Sequence, residues 1–213
     1  MTCKSIDGSQ RRLGRFLAAV LASGDELLMS RKNCHAKNVS SIVVRNNGGR
    51  LTRAFLAWPG HELATNRLGC KFAVGIHDHK YDLALRAIYG VVRNTTYERQ
   101  PGIDLTEWAF ETGLATGRPV VRRVGTTSAV VASEEILGDD WTFLDSEVIH
   151  DIDCHGIAAW WVKEGELKKS STTLLTMSRS VDADGLYSSF SSRDEVVSHV
   201  FDWAKLCWKE MSE

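Results

Sequence analysis

The chain has 213 residues, 43% hydrophobic and 25% charged, which excludes a disordered chain and fits one domain over residues 1–213 better than two small ones. With 26 Lys and Arg against 27 Asp and Glu, the formal net charge is −1. No global field draws such a chain to nucleic acid or to an anionic membrane. No run approaches the roughly 20 apolar residues that span a bilayer, and the polar start followed by a short apolar segment is not read as a secretory leader. The five cysteines are scattered without a CxxC pair. That pattern points to reduced thiols in a cytoplasmic protein and away from a thiolate zinc site.

In chain order, residues 9–23 predict an amphipathic helix. Leu13, Phe16, Leu17, Val20 and Leu21 share one face, and Gly24 closes it. Residues 25–30 read as a second short helix. From Ser41 the pattern turns to strands: a β-branched run at 41–45, an Asn-Asn-Gly-Gly turn ending at Gly49, and a strand over 51–58. Further extended segments are expected at 71–76, 83–97 with a break at Gly90, 105–111, 120–131, 141–144, 147–152, 157–162 and 171–177. A loop is expected over 113–117 and a hairpin turn at Gly165. About ten short strands at intervals of roughly 8–12 residues suggest a sandwich or barrel. The 3 prolines are few enough for interior sheet strands. The C-terminus returns to helix over 192–208. Ser192 and Glu195 form a capping box, and Val197, Val200, Phe201, Ala204 and Trp208 share a face.

The segment carrying the most chemistry is Gly75-Ile-His77-Asp-His79-Lys-Tyr-Asp82. Two His one residue apart on a strand project to the same face, where their imidazoles can converge on one metal ion. Imidazole nitrogen accepts Fe, Zn, Cu, Ni or Mn, so the pair alone does not select the metal. Asp82 is a candidate fourth ligand, or a group that fixes an imidazole tautomer. For a third His, His150 has the best setting, at the end of an aromatic strand segment that starts after Gly138. His155 is its rival five residues on. His35, His61 and His199 read as structural or exposed.

The HxH, the downstream acidic residue and Gly90 resemble the first motif of the cupin superfamily. Gly138 to His150 is similar to the second, without its internal proline and glycine. The resemblance covers about residues 41–177. It implies a double-stranded β-helix, or jelly-roll barrel, with helices added at both ends. The nearest likeness is to the cysteine-dioxygenase-like branch. That branch implies Fe(II) held by three His, here His77, His79 and His150, with Zn, Ni or Mn as other possible occupants. It also implies a dioxygenase acting on a small molecule that bears a thiol or a carboxylate, and pairing of such barrels into a homodimer.

A barrel open at one end offers a pocket lined by alternate strand residues. Arg53, Arg86, Arg93, Arg122 and Arg123 lie on predicted strands, and an inward Arg can clamp a carboxylate. Arg86 is favoured because it follows the HxH segment. Tyr81 and Trp160 are expected in the pocket wall; if Trp160 faces inward, Trp161 cannot. Cys154 reads as a core or loop residue. The chain has no P-loop, GxGxxG, HExxH or GxSxG. The competing reading is a non-catalytic barrel that binds a small ligand or acts as a regulatory protein.

Overall fold

The structure, a computed structural model, describes residues 8–61, 75–112, 119–177 and 187–213. The expected loop at 113–117, most of the strand expected at 71–76, and Cys3 and Cys70 lie outside the described residues. The chain starts with helix α1 (Gly8–Ala22) and a 3-10 turn (Asp25–Met29). The strands follow: β1 (Arg31–Lys32), β2 (Val39–Asn47), β3 (Arg50–Ala57), β4 (Ile76–His77), β5 (Tyr81–Tyr89), β6 (Val92–Thr112), β7 (Pro119–Ile136), β8 (Thr142–Leu144), β9 (Ile149–Cys154), β10 (Ala158–Leu167), β11 (Thr172–Thr176) and β12 (Ser188–Ser189). Helix α2 (Arg193–Glu210) ends the chain.

The strands form two antiparallel sheets, ordered β12-β1-β2-β3-β10-β5-β8 and β11-β4-β9-β6-β7. The jelly roll is made by the four-strand sets β3-β10-β5-β8 and β4-β9-β6-β7. From β3 to β10 the chain crosses between the sheets at every step except the β6–β7 hairpin. That winding is the jelly roll the sequence predicts, with helices at both ends. The β2–β3 hairpin turns on Gly48 and Gly49, both at positive φ (61° and 91°), as a type I′ turn requires. Strand β6 pairs with β9 through its first residues and with β11 through its last. Between these parts the register slips at Glu98 to Ile103, a bulge that contains Pro101.

Strict alternation along β3 and β10 separates two cores. Ala54 and Leu56 face α1 and α2, together with Trp161. Phe55 and Ala57 face the space between the sheets, together with Trp160 and Val162. Trp161 meets Phe16 of α1 edge to face at 5.5 Å, whereas Trp160 stacks on Phe55 at 5.3 Å. This sheet is therefore buried on both faces, and only its inner face can contribute to a pocket.

Two sequence expectations need correction. The buried face of α2 is Val196, Val200, Trp203, Ala204 and Cys207, and Trp208 is 42% exposed. The indole of Trp203 donates to the Ala57 carbonyl at 3.0 Å and fixes that rotation of the helix. Gly165 lies inside β10, not in a turn, because β10 and β11 belong to different sheets and cannot form a hairpin. The capping box does form: Ser192 accepts from the Glu195 N–H, while the Glu195 carboxylate takes the Ser191 N–H. No helix among the described residues is long and apolar enough to cross a membrane.

Two predictions follow from this packing. Gly90 has φ +70°, and a Cβ there would lie 2.4 Å from the Ile157 carbonyl oxygen. Gly90→Ala should destabilise by about 1–3 kcal/mol from the left-handed backbone alone, before the clash is counted, measured by urea unfolding. The second concerns His199, which bonds Ser40 Oγ at 2.8 Å and tilts over Trp58. Burial, then the Lys32 charge, pushes its pKa from 6.5 down to about 4. The folded state thus binds fewer protons than the unfolded state between those values. Stability is full above pH 6.5 and falls as the pH drops towards 4. His199→Gln should make that fall shallower in denaturant titrations at several pH values.

Candidate metal centre

Strand β4 lies between β9 and β11, and its His77 stands directly across from His150 of β9. Paired side chains on one face of antiparallel strands sit within contact distance, so this register brings two imidazoles together. The chain then leaves β4, and the His79 N–H donates to the Ser146 carbonyl at 3.3 Å. Between the two histidines Asp78 faces β11: it accepts from the Thr173 N–H at 2.6 Å and pairs with Lys169 at 2.8 Å. These anchors turn His79 back towards its neighbours. One ligand nitrogen from each of His77, His79 and His150 lies within 4.8 Å of the others.

Hydrogen bonds fix which nitrogens face inward. His77 Nδ1 donates to the Gly75 carbonyl at 2.7 Å, which leaves Nε2 with its lone pair. His150 Nδ1 lies 2.6 Å from Asn94 Oδ1. Asn94 is fully buried and its amide nitrogen donates to Glu135 at 3.0 Å, so its oxygen must face the histidine. His150 Nε2 is therefore an acceptor too. His79 Nε2 lies 2.7 Å from it. A proton on His79, or a cation in its place, fills that contact.

Burial pushes the pKa of all three rings down; for His79 and His150 the neighbouring His rings add to the shift and take it well below 6.5, whereas the Gly75 carbonyl and Asp78 partly offset it for His77. The centre is a cluster of neutral imidazoles, the protonation state a metal ligand needs. The donor set fits one first-row divalent ion and does not discriminate among them.

One side of the cluster opens into a cavity of about 240 Å3, room for a small molecule only. Its walls include the Phe55–Trp160 stack, Tyr81, Tyr187, Arg53 and His35. Arg53 pairs with Glu164, whose other oxygen accepts the Leu51 N–H at 3.1 Å.

Tyr81 and Trp160 thus line the cavity. Two other expected site residues are not brought there. Asp82 is 40% exposed, accepts from the Ser146 N–H at 3.0 Å and pairs with Lys168 at 3.5 Å. Leu83 and Leu85 of β5 face the cavity, so Asp82 and Arg86 fall on the opposite side by parity. Arg86 stacks over Trp141 at 4.5 Å instead. Arg53, on β3, is the strand arginine with the inward parity. His155 is exposed in the turn after β9, away from the cluster. Cys154 lies 3.6 Å from His61 Nε2, and burial raises its thiol pKa to about 12.

Three site residues escaped the sequence reading. Asn94 and Glu135 support His150 from β6 and β7, and no local motif marks them. His35 was expected to be structural or exposed, but its ring lies 5.2 Å from that of His77, on a backbone at φ 68°.

No protein-family model and no curated protein sequence matches the chain. Among solved structures, hydroquinone 1,2-dioxygenase PnpCD, in complex with Cd2+ and 4-hydroxybenzonitrile, is similar at 11% identity and TM-score 0.33, over 78% of this chain and 80% of that one. A hydroquinone 1,2-dioxygenase from a Sphingomonas species, with 4-hydroxybenzoate bound, is similar at 10% identity and TM-score 0.33, over 90% and 92%. A protein from Shewanella oneidensis follows at 10% identity and TM-score 0.25, over 75% and 82%. The strand order, not these distant likenesses, carries the fold.

Loss of the amide brace should weaken the centre. Asn94→Ala should lower affinity for a divalent ion by about 10- to 100-fold while the fold persists, measured by competition with a chromophoric chelator.

Proposed function

We infer that the chain is a mononuclear metal-dependent enzyme of the cupin superfamily, most nearly a non-haem iron dioxygenase acting on a small polar molecule. The convergence of three neutral imidazoles on one cavity carries this reading. Fe(II) bound by His77, His79 and His150 supplies open coordination positions and redox chemistry towards dioxygen.

The chain's own residues supply the rest. The Phe55–Trp160 stack excludes water from one wall of the cavity. Tyr81 and Tyr187 keep their protons at neutral pH, because burial raises both phenols, and so offer donors to a polar substrate. Arg53 is the cation that meets a substrate carboxylate. Its pairing with Glu164 holds the guanidinium in place, and at the same time moderates its charge.

The test is metal analysis combined with oxygen uptake. Protein loaded anaerobically with Fe(II) should hold about one ion per chain and consume oxygen with at least one member of a panel of thiols and small carboxylates. His77→Ala and His150→Ala should each lose both the ion and the uptake. An unchanged metal content in His77→Ala would sink the assigned ligand set. Stoichiometric metal with no uptake across the panel would favour a non-catalytic binding protein.

A further inference from the structure

Four charged side chains line the cavity: Arg53, Asp78, Lys80 and Glu164. Arg53 and Glu164 pair with each other, and Asp78 pairs with Lys169 at 2.8 Å. The other carboxylates beside this segment are also taken, Asp82 by Lys168 at 3.5 Å and Glu147 by Lys169 at 3.3 Å. Lys80 is half-buried and has no ion pair among the described residues. Its charge is the one in the lining that the described residues leave uncancelled.

The place of Lys80 is fixed by the backbone. It stands between His79 and Tyr81, which both line the cavity, and its carbonyl accepts the Lys168 N–H at 2.7 Å and the Lys169 N–H at 3.3 Å. Arg53 comes from elsewhere in the wall, since β10 separates β3 from β5. Its pairing with Glu164 uses one terminal nitrogen, and its Nε is buried with no hydrogen-bond partner among the described residues. A buried donor left over is costly unless a bound group takes it. The wall thus offers one ligand two cationic contacts, a spare guanidinium donor and an uncancelled ammonium.

The candidate centre adds to this demand. Three neutral imidazoles bring no negative charge to a divalent ion, and the Asp82 carboxylate stays outside. Buried positive charge needs a counter-charge, and here the ligand has to bring it. We propose that the cavity takes a small diacid, with one acidic group on Arg53 and the other on Lys80, and that Lys80 sets the preference for two acidic groups over one. The proposal rests on the reading of the cavity as a substrate site beside a metal centre, and it narrows that substrate to a dianion.

Calorimetric titration of the full chain, Zn(II)-loaded and metal-free, tests this with malonate, succinate and glutarate against propionate, butyrate and pentanoate. At least one diacid should bind the Zn(II) form about ten-fold more tightly than the monoacid of equal length, and keep a smaller advantage without metal. Lys80→Gln should weaken that diacid by about ten-fold and close the gap. Lys80→Arg should keep the advantage, which a merely structural loss would not allow. Arg53→Gln should weaken diacid and monoacid together. A diacid advantage that survives Lys80→Gln would overturn the proposal, because the metal alone would then account for it. Equal binding of diacids and monoacids, or no binding across the panel, would overturn it too. Failure of the metal reading shows separately, as wild-type protein that retains no Zn(II), and the metal-free titrations still decide the role of Lys80.

Discussion

The register that sets His77 of β4 opposite His150 of β9 is the constraint on which the candidate centre depends. Strand β4 has only two residues in its ladder, so little of its own pairing holds that register. It is held by neighbours on both sides: β9 through the His77–His150 pair, and β11 through Leu174 and Leu175. A slip of one residue would carry His77 to the opposite face. The polar anchors around it oppose such a slip. Asp78 is tied to the Thr173 N–H and to Lys169, and the His79 N–H to Ser146, whose own N–H is held by Asp82. Asp82 thus acts on the centre through the backbone, though its carboxylate never approaches the imidazoles.

Burial costs this site little because the rings are neutral. Three imidazolium ions packed together would face both desolvation and mutual repulsion, so each ring gives up its proton instead. What remains polar is matched: Gly75 takes one Nδ1 proton and Asn94 another. His77 and His150 thereby present lone pairs to the centre and direct their protons outward. The buried helix-facing side of the neighbouring sheet supports it from behind. Trp161 and Trp203 pack there against Phe16, so the inner-face residues Phe55 and Trp160 rest on a filled layer.

The helices, the strand-rich middle and the His77–His79 pair were legible because each rests on local spacing, whereas His150 was reached through its strand setting and the family resemblance. His77 and His79 are two residues apart, and α1 buries Leu13, Phe16, Leu17 and Val20 at helical intervals. What depended on parity was harder. Arg86 and Asp82 sit on the correct strand but on its other face, and only the inward placement of Leu83 and Leu85 settles that. Arg53 was visible on a predicted strand, with no local signal to prefer it. Asn94 and Glu135 reach the centre through pairings between distant strands, and His35 from the segment between β1 and β2; no periodicity encodes either. The α2 face was read one residue out of phase because Trp208 looked as apolar as Trp203; the hydrogen bond from Trp203 to Ala57 decides between them.

The β6–β7 hairpin connects the outer edge of the molecule to the centre. Asn94 on β6 holds His150, and Glu135 on β7 holds Asn94 with one oxygen while Thr142 approaches the other at 3.4 Å. Glu135 belongs to the exposed edge strand, yet it is only two hydrogen bonds from a candidate ligand. The amide between them, Asn94, is fully buried, and these two bonds satisfy both of its ends. In this fold the support of a candidate ligand thus runs through both strands of the hairpin, Asn94 on β6 and Glu135 on β7.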